Sequence, residues 1–177
     1  METNAKMFDG YADKYDQWFL TNNRVFESEL KLLHACLNPL KKDKILSVGC
    51  GSGLFESALK REYDIIVEYG LEPSTDMAKI AEKRGVKVEI GDAETTLLKD
   101  EEYDVIYLNG CSTYIADLSS AYRNCYNALK KGGSLILLDV PVESAYGILY
   151  SFAKYADGYD EKLFSCFGNR CSKTLYH

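Results

Sequence analysis

Three glycines at alternate positions, Gly49, Gly51 and Gly53, are the first residues in the chain whose types and spacing suggest chemistry. They follow a short apolar run, residues 45–48, which lacks polar alternation and therefore predicts a strand buried on both faces. Helical spacing of apolar residues begins directly after Gly53. The order of strand, glycine turn and helix predicts a nucleotide-binding α/β domain, with the ligand held between the strand's carboxyl end and the helix's amino end.

A carboxylate is predicted at the end of the second strand. Glu72 closes an apolar segment, residues 65–72, and stands 23 residues beyond Gly49. Pro73 ends that strand, and Ser74 can cap the helix that follows. Nucleotide-binding folds place a carboxylate here to accept hydrogen bonds from ribose hydroxyls. The alternative interpretation is a solvated glutamate at a strand end.

Strands and helices are predicted to alternate through the rest of the chain. This order predicts an α/β fold, a doubly wound parallel sheet with right-handed crossovers. One helix, residues 118–129, is expected to stop at Lys130 to Gly133, where basic residues and glycines are typical of a helix C-terminus. The five predicted strands are residues 45–48, 65–72, 86–90, 103–108 and 134–139.

Length and composition restrict the classes of function. A chain of 177 residues is predicted to form one domain, 1–177, and its formal net charge of -6 argues against a nucleic-acid partner. We find no signal peptide and no apolar stretch long enough to span a bilayer, so a cytoplasmic location is expected. The six cysteines show no paired spacing over most of the chain and are interpreted as free thiols.

The N-terminal segment, residues 1–40, is predicted to be helical. Tyr11, Tyr15 and Trp18 would lie on nearby turns of one helix, where they either pin it to the core or cover a bound ligand. Residues 24–37 have the apolar spacing of a packing helix. His34 lies beside that apolar stripe and is interpreted as structural.

Five ordered motifs together make the chain resemble the class I S-adenosylmethionine-dependent methyltransferases. The likeness covers residues 8–142 and is strongest to small-molecule enzymes such as the ubiquinone/menaquinone-biosynthesis methyltransferases. It implies a Rossmann-like sheet, a methyl acceptor that is a small molecule, and S-adenosyl-L-methionine as the cofactor. The motifs are Val48 to Gly53, Gly70 to Ser74, Gly91 to Glu94, Tyr103 to Ile106 and Leu129 to Leu135.

The resemblance assigns roles to individual positions around the cofactor. It places Gly49, Gly51 and Gly53 under the methionine part, Glu72 at the two ribose hydroxyls and Asp92 at the adenine amino group. These residue types suit a ligand that has a diol, an amine and a sulfonium but no phosphate, because carboxylates accept from hydroxyls and amines. The cofactor-binding residues that it implies are Tyr15, Trp18, Gly49, Cys50, Gly51, Gly53, Glu72, Pro73, Met77, Asp92, Ala93 and Asn109.

The remaining positions would surround the adenine and the methyl group. The resemblance places Pro73 and Met77 near the adenine, the Ala93 amide beside the ring, and Asn109 near the methionyl group. The element Tyr15 to Trp18 looks like the family's N-terminal cover, whose aromatic faces suit a sulfonium.

Two other functions stay open at this point. An NAD(P) oxidoreductase is disfavoured, because its fingerprint requires glycine at position 54, which is Leu54 here. A cofactor-binding scaffold or regulatory subunit without catalysis is the second alternative. The sequence does not distinguish it from an enzyme, since methyl transfer requires few catalytic side chains.

Catalysis is expected to depend mainly on positioning. Sulfonium is already a good leaving group, so the enzyme's task is to align the acceptor and exclude water, and no general base is assigned. Asn109, Tyr114, Asp139 and Glu143 are expected near the methyl group by their position after strands. Cys111 is interpreted as a small loop residue rather than a reactive thiol.

The C-terminal part departs from the family pattern. Residues 41–142 are predicted to form the cofactor-binding core and residues 143–177 an aromatic acceptor or lid region, too short for the family's usual final helix and strand pair. A shortened C-terminal strand pair would expose a sheet edge, and on that ground a homodimer is predicted. Cys166 and Cys171 could form a disulfide or half of a metal site, and neither is favoured; no metal is predicted.

Overall fold

The computed structural model describes residue 8 and residues 10–148. The chain divides into two units, residues 1–138 and 139–177. The first unit carries five helices, five strands and one 3-10 helix among its described residues. They are α1 Ala12–Thr21, α2 Asn23–Leu37, β1 Ile45–Val48, α3 Leu54–Tyr63, β2 Tyr69–Glu72, α4 Thr75–Lys83, β3 Lys87–Ile90, β4 Tyr103–Asn109, the 3-10 helix Ser112–Tyr114, α5 Leu118–Ala128 and β5 Leu129–Leu138.

The five strands form one parallel sheet in the order β3-β2-β1-β4-β5. The central strand β1 pairs with β2 through Leu46 and Tyr69, and with β4 through Leu46 and Ile106. Because chain order reverses direction at β1, the carboxyl ends of β1 and β4 flank a topological switch point, where doubly wound sheets bind ligands. The predicted α/β fold class is confirmed.

The two faces of the sheet are covered by different helices. Ile45 of β1 is buried in one core cluster with Leu33 of α2 and Leu59 of α3. Leu46 points the opposite way, into a second cluster with Cys125 of α5. This alternation along one strand is the period-2 pattern of a strand that is buried on both faces.

Two predicted boundaries were wrong. Strand β2 begins at Tyr69 instead of residue 65, because Asp64 ends α3 in the left-handed region and the next residues pack on the core without ladder pairing. The helix before the fifth strand ends at Ala128 rather than at Lys130 to Gly133. That basic stretch lies within β5, where the Lys130 ammonium donates to the Asp104 carboxylate at 2.9 Å.

The N-terminal helices agree with the sequence prediction. Helix α2 buries Phe26, Leu30, Leu33 and Leu37 on one side. The His34 ring stacks on the Tyr63 ring at 3.8 Å, which supports its structural interpretation.

Several predictions concern residues 149–177, including Cys166 and Cys171 and the shortened strand pair, and lie outside the described residues. In the second unit, residues 145–148 are helical. Within the described part of the chain, no helix is long and apolar enough to cross a membrane, and no group of three or more His, Cys, Asp or Glu side chains could hold a metal ion. The described cysteines, Cys36, Cys50, Cys111 and Cys125, are free thiols.

Candidate functional site

The three glycines after β1 have three different structural roles. All three have positive φ, which favours glycine. A Cβ on Gly49 would lie 2.9 Å from Cys111 Cβ and Sγ, and one on Gly53 would lie 3.0 Å from Ala81 Cα. A Cβ on Gly51 would meet no described atom within 4 Å. The outer glycines therefore allow close packing against neighbouring elements, and Gly51 borders open space.

The Glu72 carboxylate fixes one side of the glycine loop. Its two oxygens accept hydrogen bonds from the backbone N–H groups of Gly51, at 2.8 Å, and Ser74, at 2.9 Å. The residue is only 5% exposed. Because backbone amides hold the carboxylate at the carboxyl end of β2, its position relative to the loop is set before any ligand binds.

A buried polar clamp fixes the other side of the loop and was not predicted from the sequence. The Ser52 hydroxyl donates to Asp16 Oδ1 at 2.5 Å, and Arg84 donates to Asp16 Oδ2 at 2.6 Å. Arg84 also donates to the Ser52 carbonyl oxygen at 2.8 Å. The clamp joins α1, the loop and the residue after α4, although these positions are far apart in the sequence.

Aromatic rings from α1 lie over this region. The Tyr15 ring makes edge contacts with Phe8 at 6.2 Å and Phe19 at 5.1 Å, and Phe8 contacts Tyr114 at 5.2 Å. Burial raises the pKa of Tyr15 well above its usual value, and the nearby Glu29 carboxyl acts in the same direction. Tyr15 is therefore a neutral phenol at physiological pH.

A second carboxyl, Glu56 on α3, is buried beneath the loop at 4% exposure. The Tyr107 hydroxyl donates to its Oε1 at 2.5 Å, whereas Oε2 has no hydrogen-bond partner among the described residues. Burial raises the pKa of Glu56, although hydrogen bonds from Tyr107 and Ser47 and the charge of Arg84 partly oppose this shift. An unpaired polar atom at this depth is rare in native structures and requires an explanation.

A small cavity of about 20 Å³ lies at this point, which is enough space for one water molecule. Both α1 and the end of β4 contribute to its wall, so it lies on the predicted ligand side of the sheet. The lining residues are Tyr15, Ser47, Gly49, Cys50, Ser52, Leu54, Phe55, Glu56 and Asn109.

The loop after β3 is held by its own hydrogen bonds. Asp92 accepts from the backbone N–H groups of Glu94, at 2.9 Å, and Thr95, at 2.7 Å, and from the Thr95 hydroxyl. Partial burial alone would raise the pKa of Asp92, but these hydrogen bonds lower it, so the side chain is ionised at neutral pH. Asn124 of α5 donates to the carbonyl oxygens of Ala93 and Glu94, at 3.0 and 2.9 Å.

The two cysteines near the loop are packing residues. Burial strongly raises the pKa of the Cys50 thiol, with the Glu56 and Glu72 carboxyls adding to the effect. Gly70 provides room for this side chain, because a Cβ there would lie 2.6 Å from Cys50 Sγ. The Cys111 thiol donates to the Val48 carbonyl oxygen at 3.2 Å. This hydrogen bond supports the structural interpretation of Cys111.

The predicted site residues are partly brought together. Tyr15, Gly49, Cys50 and Asn109 share the cavity wall, and Gly51 is bonded to Glu72. Gly53 packs on α4, Pro73 is half-buried and follows Glu72, and Asp92 and Ala93 lie in the loop after β3.

Other predicted residues lie elsewhere. Trp18 packs against the core and contacts Phe19 at 5.0 Å, and Met77 is 2% exposed, inside α4's packed face. Asp139 and Glu143 are exposed residues of the second unit. Their predicted roles at the ligand stay predictions.

Sequence reasoning missed Asp16, Ser52, Arg84, Glu56 and Tyr107. A weak signal was present for Tyr107, because a tyrosine inside a strand that is buried on both faces must find a polar partner for its hydroxyl. The pairing itself depends on which residues the fold brings together.

A family model described as a methyltransferase domain matches residues 46–137 of the chain. This region begins in β1 and ends in β5, and it includes both the glycine loop and the Asp92 loop.

Individual proteins are similar over a larger part of the chain. A demethylmenaquinone methyltransferase of Thermotoga maritima is 29% identical over 83% of this chain and 67% of its own length. A phosphoethanolamine N-methyltransferase of Triticum aestivum is 29% identical over 76% of this chain, which spans only 28% of that protein. A crystal structure of an S-adenosylmethionine-dependent methyltransferase from Thermotoga maritima, described as a possible histamine N-methyltransferase, has a TM-score of 0.75, 33% identity and coverage of 92% of this chain and 77% of its own.

Proposed function

Because the chain belongs to the methyltransferase-domain family, we propose that it transfers a methyl group from S-adenosyl-L-methionine to a small-molecule acceptor. The observation that carries the proposal is the hydrogen bond from the Gly51 amide to the Glu72 carboxylate. It joins an open glycine turn, at the switch point of the parallel sheet, to a fixed acceptor group at the end of the neighbouring strand β2. This is where an adenosyl ligand without a phosphate would be held.

The residues at this edge fit the cofactor. Open space beside Gly51 allows a ligand to approach the backbone, and the Glu72 carboxylate is an acceptor suited to ribose hydroxyls. Asp92 is ionised and follows β3, where an adenine amino group would find an acceptor. Tyr15 lines the cavity beside the loop, and an aromatic ring suits a cationic ligand. When bound, the cofactor supplies a methyl group that is activated by the attached sulfonium.

Catalysis would depend mainly on positioning the acceptor relative to the bound cofactor. The clamp of Asp16, Ser52 and Arg84 holds α1 against the loop, so the cover has a defined position relative to the ligand. Excluding water and aligning the acceptor can lower the barrier by several kcal/mol. Asn109 ends β4 and Tyr114 ends the following 3-10 helix, and in this proposal both would contact the acceptor.

A small acceptor is supported by the similar proteins. Their names refer to a quinone precursor, phosphoethanolamine and histamine, each of which is a small molecule. The net charge of -6 gives no support for a nucleic-acid substrate. The cytoplasmic location and the homodimer stay predictions.

A transfer assay with methyl-labelled S-adenosyl-L-methionine tests the proposal. The full chain is incubated with histamine, phosphoethanolamine and a demethylated quinol, and labelled product and S-adenosyl-L-homocysteine are measured. We expect turnover on at least one acceptor, strongly reduced by Glu72→Gln and unchanged by the exposed control Glu27→Gln. Cofactor binding without turnover on any acceptor would instead support a scaffold role.

A further inference from the structure

We propose that Glu56 receives the ammonium group of the bound cofactor through its Oε2 atom, and that binding releases one proton from this carboxyl to the solvent. The inference rests on the proposed function, because it requires that S-adenosyl-L-methionine binds at the glycine loop. It adds a binding residue on α3 and a pH dependence that the fold alone does not imply.

The geometry of the cavity is the first argument. Glu56 Oε2 is unpaired among the described residues, while Oε1 is held by the Tyr107 hydroxyl. The cavity that Glu56 lines also borders Gly49, where the ligand's methionine part is expected. A carboxyl fixed at one oxygen and unpaired at the other is prepared to accept a hydrogen bond from a donor that enters this space.

The size of the cavity selects the donor. A volume of about 20 Å³ accommodates a group the size of one water molecule, and an ammonium group is of that size. The sulfonium carries three carbon substituents and is too large to enter. An ammonium also offers three N–H donors, which suits a wall containing the carboxyl of Glu56 and the hydroxyl of Ser47.

The charges around Glu56 explain why a proton would be released. It is packed near Tyr107 of β4, Ser47 of β1, Tyr15 of α1 and Cys50 of the loop, none of which supplies a positive charge. The Arg84 guanidinium opposes the rise in the pKa of Glu56, but it is already paired with Asp16. Burial therefore raises the pKa of Glu56 in the ligand-free protein, and an entering ammonium would restore the ionised form.

Calorimetric titration in two buffers of different ionisation enthalpy measures the released proton. With S-adenosyl-L-methionine and with S-adenosyl-L-homocysteine, which both carry the ammonium, we expect release of up to one proton per site. Methylthioadenosine, which lacks the ammonium, should bind without release. Affinity for the first two ligands should increase with pH, by up to tenfold per pH unit, as long as Glu56 is protonated in the ligand-free protein.

Two variants identify the source of the proton. Glu56→Gln keeps the side-chain shape and an acceptor for Tyr107, and it should abolish both the release and the pH dependence. Glu29→Gln is the matched control: its carboxyl lies near Tyr15 and burial raises the pKa of Glu29 to about 7, but it does not line the cavity. This variant should retain the release. A third variant, Tyr107→Phe, should shift the pH dependence without removing it.

Each contrary result has a distinct meaning. Unchanged release in Glu56→Gln, or equal release with methylthioadenosine, would overturn the assignment while leaving the proposed function intact. Failure of all three adenosyl ligands to bind the unsubstituted protein would overturn the proposed function and this inference with it.

Discussion

Two buried carboxyl groups beside the glycine loop differ in how their oxygens are paired. On the β2 side, Glu72 has each oxygen bonded to a backbone amide. On the α3 side, Glu56 is equally buried, but one oxygen is unpaired within the described structure and burial raises the pKa of this group. The difference indicates that Glu72 shapes the loop in the absence of ligand, whereas Glu56 stays unsatisfied until a ligand arrives.

The largest effects on stability are expected from substitutions of the glycines in the loop between these two carboxyl groups. Gly49→Ala should destabilise the fold by about 2–5 kcal/mol, because positive φ and a clash with Cys111 both oppose a side chain. Gly51→Ala should cost only about 1–2 kcal/mol, from backbone conformation alone. Urea denaturation monitored by circular dichroism measures both.

The same pair separates stability from binding. Gly51→Ala should lose S-adenosyl-L-methionine affinity by tenfold or more while remaining folded, because its Cβ enters the space left for the ligand. If Gly51→Ala destabilised the protein as much as Gly49→Ala, a Cβ at position 51 would not point into open space, and this interpretation of Gly51 would be wrong.

The clamp provides an intermediate effect. Asp16→Ala should destabilise the protein by about 1–3 kcal/mol, because Arg84 and Ser52 lose a charged, largely buried partner. The control is Glu27→Ala, which breaks an exposed ion pair with Lys31 and an exposed hydrogen bond from Asn23 and should cost about 0.5 kcal/mol or less. Thermal unfolding compares the two, and equal effects would mean that the clamp does not hold α1.

The smallest effect concerns the ligand-free protein at different pH values. Because folding raises the pKa of Glu56 above its ordinary value of 4.5, the stability that it contributes is present at low pH and is lost as pH rises above that value. Glu56→Gln removes this loss, so the stability of the variant relative to the unsubstituted protein should increase as pH rises above 4.5. Urea denaturation at several pH values measures this increase. A constant difference across these pH values would show that Glu56 does not titrate on unfolding.

The sequence predicted the parts of the site that depend on local order. The glycine turn and Glu72 were found because they occupy fixed positions after strands of a recognisable fold. Glu56 was not singled out, since an acidic residue in the first turn of a helix is ordinary and favoured by the helix dipole. Its importance depends on Tyr107, 51 residues away, and on a cavity that exists only after the sheet has formed.

The wrong boundaries have a similar cause. Residues 65–68 are apolar enough for a strand, but Ile65 and Val67 pack on the core without a ladder partner because α3 ends immediately before them. Lys130 to Gly133 have the composition of a helix end, yet they lie within β5, at an irregularity between the Leu129–Tyr103 and Ser134–Val105 pairs of the ladder with β4. Local propensity was overridden by tertiary contacts in both cases.

The most direct test of cofactor binding at Glu72 is calorimetric titration of the purified protein with S-adenosyl-L-methionine, S-adenosyl-L-homocysteine and NADH. The titration is repeated on Glu72→Gln after circular dichroism has confirmed that the variant is folded. We expect S-adenosyl-L-methionine and S-adenosyl-L-homocysteine to bind, NADH not to bind, and the substitution to weaken both adenosyl affinities by tenfold or more. Binding of NADH alone, or adenosyl affinities unchanged in folded Glu72→Gln, would contradict this expectation.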